Sequence, residues 1–277
     1  MKLLHCGPYR LSLDHPLLMG IVNLTPDSFS GDGLVGDVDR AIEHARQQFE
    51  AGSDILDLGA ESSRPGATPT PEKEELRRLL PVLKEISTWG IPISVDTYKP
   101  VVMRAALAAG ATMINDITGM RSPEALRAVA ETDCAICVMH MQGSPGSMQQ
   151  APNYDDVVFQ VREFLSLAVD RCRQIGIDES RVVLDPGFGF GKTLDHNLAL
   201  FRALTAVSCY ELPLLVGISR KSMLGMITGR SVEQRQAASL AANLVAAQKG
   251  AKILRVHDVA AIKDVLAVWK AIEEGAK

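Results

Sequence analysis

The chain has 277 residues, of which 47% are hydrophobic, so it is long enough to bury the core of one large α/β domain. Its net charge of -4 and its lack of a long basic run argue against a nucleic-acid-binding surface. No stretch approaches about 18 uninterrupted apolar residues, and the apolar part of MKLLHC is too short for a lipoprotein signal, so we expect a cytosolic protein without a membrane span.

Eight short apolar segments, each bounded by turn residues, recur in the pattern typical of buried parallel strands. They are 18–23, 54–59, 91–97, 112–118, 134–140, 181–187, 212–219 and 251–258. Amphipathic helical patterns separate them, for example 37–52, 72–90 and 155–176. Before them, Tyr9, Leu11 and Leu13 alternate in a segment that predicts a β-hairpin at the bottom of a barrel. We therefore expect an α/β fold, a (β/α)8 TIM barrel forming a single domain over 1–277, with a doubly wound open sheet as the alternative.

Every predicted strand ends in at least one polar residue. In a TIM barrel these ends meet at one mouth, where the active site lies. A single polar residue at a strand end more often caps a helix or bonds a loop amide, but eight at one mouth indicate a ligand site. They are Asn23, Asp57, Asp96, Asn115, His140, Asp185, Ser219 with Lys221, and Arg255 with His257.

Two of these carboxylates are suited to one edge of a flat heterocycle. Because a carboxylate can accept two parallel N–H bonds, Asp96 and Asp185 fit a guanidine-like edge such as that of a 2-aminopyrimidinone ring. Lys221 could donate to the carbonyl oxygen or a nitrogen of that ring. A lysine after the seventh strand could also be a Schiff-base nucleophile, which makes an aldolase the competing class.

A second group of side chains is suited to an anion such as diphosphate. Ser63 and Arg64 form one part, and Arg255 with His257, which point the same way from one strand, form the other. Arg255 and His257 could instead make a local salt bridge. A Mg²⁺ ion held by diphosphate oxygens and water would need one protein oxygen, for which Asn23 is the candidate.

The stretch LDPGFGFGKT (184–193) looks like a phosphate-binding loop, but Pro186 and Lys192 stand where the mononucleotide and dinucleotide templates need glycine. Its glycines therefore serve something other than these two templates, and a tight βα turn is one interpretation. Cys134 and Cys137 lie in an apolar segment with no second pair to complete a zinc site. We interpret them as buried strand thiols.

Eight motifs in family order resemble dihydropteroate synthase. They are MGIVNLTPDSFS (19–30), GAESSRPGA (59–67), SVDT (94–97), INDI (114–117), VMHMQG (138–143), LDPGFGFGK (184–192), GISRKSM (217–223) and RVHDV (255–259), and the match runs from about residue 3 to 270. The resemblance implies condensation of 6-hydroxymethyl-7,8-dihydropterin diphosphate with 4-aminobenzoate, with Mg²⁺ as cofactor, to give 7,8-dihydropteroate and diphosphate. It also implies that the protein is a homodimer, to which the alanine-rich helix 234–249 could contribute. It further implies that the protein is a target of sulfonamides.

Carried over residue by residue, the resemblance implies overlapping sets of site residues. The pterin diphosphate is expected to contact Ser63, Asp96, Asn115, Met139, Asp185, Lys221, Arg255 and His257, with Phe190 also flanking the ring. 4-Aminobenzoate is expected to contact Thr25, Pro26, Phe29, Pro65, Gly189, Phe190 and Ser222. Arg64, Lys221, Arg255 and His257 are expected to act in catalysis, and Asn23 to bind Mg²⁺.

The chain departs from the usual family pattern at two places. Ala60 and Ser63 stand where many members have glycine and threonine, and a shifted aspartate, Asp32, receives no role. The alternative within pterin-binding barrels is a module of the methyltetrahydrofolate methyltransferase type. Such a module has no diphosphate to hold, so Asn23 and the Arg255-x-His257 pair favour the synthase.

Overall fold

The computed structural model describes residues 2–25, 38–62 and 66–275. Two strands, β1 (Leu3–Cys6) and β2 (Tyr9–Ser12), pair antiparallel as a hairpin. Eight further strands form one parallel sheet. They are β3 (Leu17–Asn23), β4 (Ile55–Gly59), β5 (Ile93–Asp96), β6 (Met113–Asp116), β7 (Ala135–Met139), β8 (Val182–Asp185), β9 (Leu215–Val216) and β10 (Ile253–Val256).

Helices follow the strands along the described part of the chain. They are α1 (Val38–Glu50), α2 (Glu72–Ile86), α3 (Pro100–Ala108), α4 (Pro123–Ala130), α5 (Val157–Gln174), α6 (Leu194–Arg202), α7 (Leu204–Val207), α8 (Ser222–Thr228), α9 (Gln236–Gln248) and α10 (Val259–Glu274). Among the described helices, none combines the length and the apolar character needed to cross a membrane.

The parallel sheet closes on itself. Its strand order is β8-β7-β6-β5-β4-β3-β10-β9, and a parallel bridge between Leu184 and Leu214 joins the two end strands. The amide of Leu184 donates to the carbonyl oxygen of Pro213 at 2.9 Å across this seam. The predicted TIM barrel with its N-terminal hairpin is therefore confirmed, and the open doubly wound sheet is excluded.

The strands are shorter than the apolar segments that predict them. The segment 212–219 contains only the two-residue strand β9, because the chain turns directly afterwards: Arg220 has a φ of 58° and the amide of Lys221 donates to the carbonyl oxygen of Ile218. The segment 181–187 likewise ends as strand at Asp185, where the side chain accepts a hydrogen bond from the amide of Gly187 at 2.7 Å. Local side-chain and turn bonds replace the ladder at both ends.

A separate apolar layer fills the inside of the barrel below its mouth. It consists of Leu17, Met19, Ile55, Met113, Ala135, Cys137, Val183, Leu215 and Ile253, together with Leu4, Cys6 and Leu13 from the N-terminal segment. The hairpin therefore covers the bottom of the barrel. Cys134 and Cys137 are buried and free, as the sequence indicates.

Candidate active site

The alternation of side chains along the strands places a polar layer directly above this apolar layer. In each strand, the residue two positions after an inward-facing apolar residue also faces inward and lies nearer the mouth. The inward polar positions reached in this way are Asp57 above Ile55, Asn115 above Met113, Asp185 above Val183 and Arg255 above Ile253. The apolar layer thus forms the floor of a polar pocket at the carboxyl ends of the strands.

Arg255 crosses this pocket and joins two carboxylates. Its Nε donates to Asp57 Oδ2 at 2.5 Å, and its Nη2 donates to Asp96 Oδ2 at 3.1 Å. Burial opposes the positive charge, but Asp57 and Asp96 outweigh it and raise the pKa of the Arg255 guanidinium. The salt-bridge alternative for Arg255 is therefore realised. It does not exclude anion binding, because a guanidinium carries five N–H donors.

Two acceptors in this layer have no hydrogen-bond partner among the described residues: Asp57 Oδ1 and Asn115 Oδ1. Both side chains are almost completely buried, at 0% and 4% exposure. A buried acceptor without a donor costs free energy, so the pocket favours a ligand that brings N–H groups to this depth. Burial raises the pKa of Asp96 to about 7, with Arg255 opposing that rise and Asp57 adding to it.

Asp185, Lys221 and Phe190 form the opposite side of the pocket. The Lys221 ammonium donates to the carbonyl oxygen of Phe188 and lies 4.3 Å from the centroid of the Phe190 ring. Burial lowers the pKa of Lys221 to about 8, and the negative charge of Asp185 opposes that change. Burial also raises the pKa of Asp185, against the effect of Lys221.

An apolar wall stands beside these charges at the barrel mouth. Met139 and Phe190, both predicted to flank a flat ring, belong to the same cluster, which also contains Ile117, Met141, Met148 and Tyr98. Gly189 lies against Lys221, since a Cβ placed on it would be 3.3 Å from Lys221 Cδ. Ser222 directly follows Lys221 at the first residue of α8. The structure thus brings together the described residues that the sequence assigned to this side.

The remaining predicted site residues lie around the ends of β3 and β10. The Nδ1 of His257 is 3.0 Å from Ser219 Oγ. Asn23 pairs with Gly59, and a Cβ on Gly59 would be 3.9 Å from both Asn23 Oδ1 and Asp96 Oδ2, so these two side chains flank that glycine. Thr25 is buried just beyond β3. The predicted site residues Pro26, Phe29, Ser63, Arg64 and Pro65, and also Asp32, lie outside the described residues.

His140 is a strand-end residue that does not join the pocket. Its ring packs against Phe164 and Tyr154 between β7 and the surrounding helices, and its Nδ1 is 2.9 Å from Lys192 Nζ. Burial, with Lys192 adding to it, lowers the pKa of His140 to about 2. The ring is therefore a neutral partner for Lys192, which is a structural role.

The glycine-rich loop binds its own backbone through Lys192. The ammonium donates to the carbonyl oxygens of Gly187 at 2.9 Å and Phe190 at 3.0 Å. Gly187 has a φ of 68°, and a Cβ there would lie 1.9 Å from the carbonyl oxygen of His140. The loop thus needs glycine at 187 for contact with the chain after β7, and its lysine closes the turn.

Asp57 belongs to the predicted set of strand-end polar residues, but the sequence assigns it no specific contact. Its position inside the strand ILDLG was a signal, since an aspartate flanked by strand leucines needs a buried cation. That cation is Arg255, 198 residues away along the chain. Within the described ranges, no group of three or more His, Cys, Asp or Glu side chains could hold a metal.

Comparison with known proteins agrees with this arrangement. Residues 19–257 match the family model described as pterin binding enzyme. The chain is 46% identical to dihydropteroate synthase of Escherichia coli strain K12 over 274 residues, which cover 99% of this chain and 96% of the relative.

Two solved structures are similar over nearly their whole length. Burkholderia cenocepacia dihydropteroate synthase complexed with 7,8-dihydropteroate has a TM-score of 0.91 and 46% identity, covering 99% of this chain and 97% of that one. Xanthomonas albilineans dihydropteroate synthase with 4-aminobenzoic acid has a TM-score of 0.93 and 48% identity, covering 99% of each chain. By sequence and by fold, the chain belongs to the dihydropteroate synthase family of pterin-binding enzymes.

Proposed function

We propose that this protein condenses 6-hydroxymethyl-7,8-dihydropterin diphosphate with 4-aminobenzoate to give 7,8-dihydropteroate and diphosphate. The observation that carries this proposal is the polar layer at the barrel mouth, where Asn115 offers an unpaired acceptor between the carboxylates of Asp96 and Asp185. A 2-amino-4-oxopterin edge supplies the N–H donors that such a layer lacks. The full-length match to synthases supports the same assignment.

The pterin ring would bind with its donor edge toward the floor of the pocket. Asp96, Asn115 and Asp185 would accept from the ring and exocyclic N–H groups, and Lys221 would donate to a ring acceptor. Met139 and Phe190 would pack against the flat pterin ring, since they belong to one apolar wall. Buried carboxylates with raised pKa values suit this task, because the ring donors replace the water that burial removes.

The diphosphate would lie at the β10 side of the mouth. Arg255 is held there by Asp57 and Asp96, and His257 follows it two residues later. With Ser63 and Arg64, these side chains would offset the negative charge that grows on the departing diphosphate. Because Arg255 is fixed before the ligand arrives, little reorganisation would be needed during bond cleavage.

The donor set fits one Mg²⁺ ion bound mainly by the substrate. Asn23 places an amide oxygen beside Gly59 at the same mouth, which suits a hard cation that keeps water and phosphate oxygens as its other ligands. When bound, the ion would supply additional positive charge to the diphosphate. Asn23→Ala should therefore raise the Mg²⁺ concentration needed for half-maximal activity, and an unchanged requirement would remove Asn23 from this role.

The reaction needs no protein nucleophile. The bond between the pterin methylene carbon and the diphosphate oxygen breaks, and its electron pair leaves with the diphosphate. The aniline nitrogen of 4-aminobenzoate then supplies the electron pair of the new C–N bond and releases a proton. The aminobenzoate is proposed to be held beside the methylene group by Thr25, Pro26, Phe29, Pro65, Gly189, Phe190 and Ser222.

The test is to supply the purified protein with both substrates and Mg²⁺ and to quantify dihydropteroate and diphosphate. We expect the two products in equal amounts. A barrel of the methyltetrahydrofolate methyltransferase type would bind a pterin but release no diphosphate. An aldolase would instead form a Schiff base that borohydride traps on Lys221, so a trapped adduct would contradict the proposal.

We also propose that the protein is a homodimer through α8, α9 and α10. The inner face of α9, with Ser239, Asn243, Ala246 and Ala247, is buried against the rest of the chain. These three helices also carry exposed apolar side chains, which are Met226, Ile227, Val245, Val268 and Ile272. Val268→Glu combined with Ile272→Glu should give a monomer in sedimentation velocity, whereas Phe159→Glu, at an equally exposed apolar residue of α5, should not.

A further inference from the structure

Lys99 is a nearly buried lysine that binds three acceptors from different parts of the chain. The residue directly precedes α3, and its side chain is 12% exposed. The ammonium donates to the carboxylate of Glu61, to the carbonyl oxygen of Thr70 at 2.5 Å and to Glu75 Oε2 at 2.6 Å. An ammonium has three N–H donors, so this geometry uses all of them.

Two of these acceptors lie near the two ends of the connection between β4 and α2. Glu61 comes two residues after β4, and Thr70 comes two residues before α2. Tyr98, next to Lys99, adds a hydrogen bond from its hydroxyl to Glu61 Oε1 at 2.9 Å. Lys99 therefore holds residues 61 and 70 at one point.

The same connection reaches the side of the pocket where aminobenzoate is proposed to bind. The amide of Gly66 donates to the carbonyl oxygen of Pro145 at 3.4 Å, in the loop that follows β7. In that loop Gln149 donates to the carbonyl oxygen of Gly189 at 2.5 Å, beside Phe190. The described contacts thus form a chain from Lys99 to the wall near Lys221.

The cluster of Lys99 with Glu61 and Glu75 also borders the pterin side of the pocket. A small cleft is lined by Glu61, Glu75, Asp96, Thr97, Tyr98 and Ile117. Without Lys99, two carboxylates would stand uncompensated beside Asp96. Glu75 is 1% exposed, so it could not be solvated in place.

We propose that Lys99 is a positioning residue for the reaction, which holds the two described parts of the β4–α2 connection, residues 60–62 and 66–71, so that the aminobenzoate side of the pocket is formed before that substrate binds. It touches no reacting atom. The inference rests on the proposed function, because it assigns a consequence to one of the two substrates. Loss of Lys99 would make aminobenzoate binding supply the ordering of this connection, while the described pterin-binding residues would keep their places.

The test compares Lys99→Met with Lys84→Met, which removes the same charge from an exposed position of α2. We expect Lys99→Met to raise KM for aminobenzoate about tenfold, the worth of one charge-assisted hydrogen bond. Affinity for 6-hydroxymethyl-7,8-dihydropterin alone should fall much less than this, since Asp96, Asn115 and Asp185 keep their places, and the added negative charge beside Asp96 is reduced when Glu75→Gln is combined with Lys99→Met. Lys99→Arg should restore part of the aminobenzoate effect, and Lys84→Met should match the wild type.

A further variant guards against loss of folding. Lys99→Met leaves the buried Glu75 carboxylate without a cation, so Lys99→Met with Glu75→Gln is made as well, and amide hydrogen exchange is measured over residues 60–71. Faster exchange in that segment with the same rise in KM supports the proposal. An equal loss of pterin affinity, or an unchanged KM for aminobenzoate, overturns it. The proposed function fails separately, if the wild-type protein forms no dihydropteroate.

Discussion

The Nε of Arg255 donates to Oδ2 of Asp57 at 2.5 Å, which joins β10 to β4 past the intervening strand β3. Asp57 is completely buried, so the pair has little access to water and holds the guanidinium firmly. Arg255 is thereby kept at a fixed depth, where it also reaches Asp96. A substitution at 255 should therefore have two measurable effects, one on the free energy of unfolding and one on the proposed reaction.

Arg255→Lys tests the effect on the reaction, and Arg255→Ala tests the effect on stability. A lysine keeps the positive charge near Asp57 but cannot make the two-pronged contacts of a guanidinium. We expect turnover of the diphosphate substrate to fall at least about 100-fold, the size of lost electrostatic stabilisation of a leaving group. Binding of the plain hydroxymethyl pterin, measured by calorimetry, should fall far less. Arg255→Ala should also lower the free energy of unfolding by about 3–5 kcal/mol, because Asp57 is left as an unpaired buried charge. If pterin binding falls as far as turnover, Arg255 is only structural.

Asp185→Asn tests recognition of the ring. The amide keeps the size of the side chain but removes its charge, so pterin binding should weaken by about 1.5–3 kcal/mol. Free diphosphate should bind nearly as before, because the proposed diphosphate residues belong to other strands. Both affinities are measured by calorimetry on the same preparation. Equal losses for the two ligands would contradict the assignment.

The pH dependence of kcat/KM should report Asp96 and Lys221. If the ring needs the Asp96 carboxylate, activity falls as the pH drops through about 7, where burial places the pKa of that group. If the ring needs the Lys221 ammonium, activity falls as the pH rises through about 8, since burial lowers the pKa of that group. We therefore expect a narrow bell-shaped profile. Lys221→Arg should shift its alkaline limb to higher pH, and a wild-type-like limb in this variant would assign the limb to another group or to the substrate.

Lys192→Met tests the interpretation of the glycine-rich loop. Lys192 is 3% exposed and donates to two carbonyl oxygens of that loop, at Gly187 and Phe190. Their loss should lower the free energy of unfolding by about 1–3 kcal/mol, the cost of buried acceptors without donors. Urea denaturation measures this, and Lys84→Met, at an exposed lysine of α2, is the control. A variant as stable as the wild type with weakened diphosphate binding would instead support a phosphate-binding loop.

The barrel was predictable because its signals are local and repeated. Each βα unit carries an apolar segment and an amphipathic helix, and the pattern held even through Pro81, which lies inside α2. The inward positions of Asp96, Asn115 and Asp185 follow from the alternation of side chains along a strand. The sequence did not show that these residues face the pocket whereas His140 does not. A strand end that is uncertain by one residue leaves it uncertain which face of the sheet a side chain lies on.

The pairing of Asp57 with Arg255 could not be inferred from either motif alone. The two residues come together only because β10 lies beside β3, and β3 beside β4, around the closed sheet. The network around Lys192 was also hidden, since its acceptors are backbone carbonyls that depend on the left-handed turns at 187 and 191. Such contacts are properties of the assembled barrel rather than of any segment.

The closure of the barrel through one bridge between Leu184 and Leu214 divides the sheet unequally. Strands β3 to β8 pair in chain order as one continuous arc, whereas β9 contributes only two residues and joins β10 and β8 at its margins. Under mechanical or thermal stress the ring should open there first, because fewest backbone bonds must break. The opening would part Asp185 from Arg255 while leaving Asp57, Asp96 and Asn115 side by side. The enzyme would then lose catalysis before it loses most of its secondary structure.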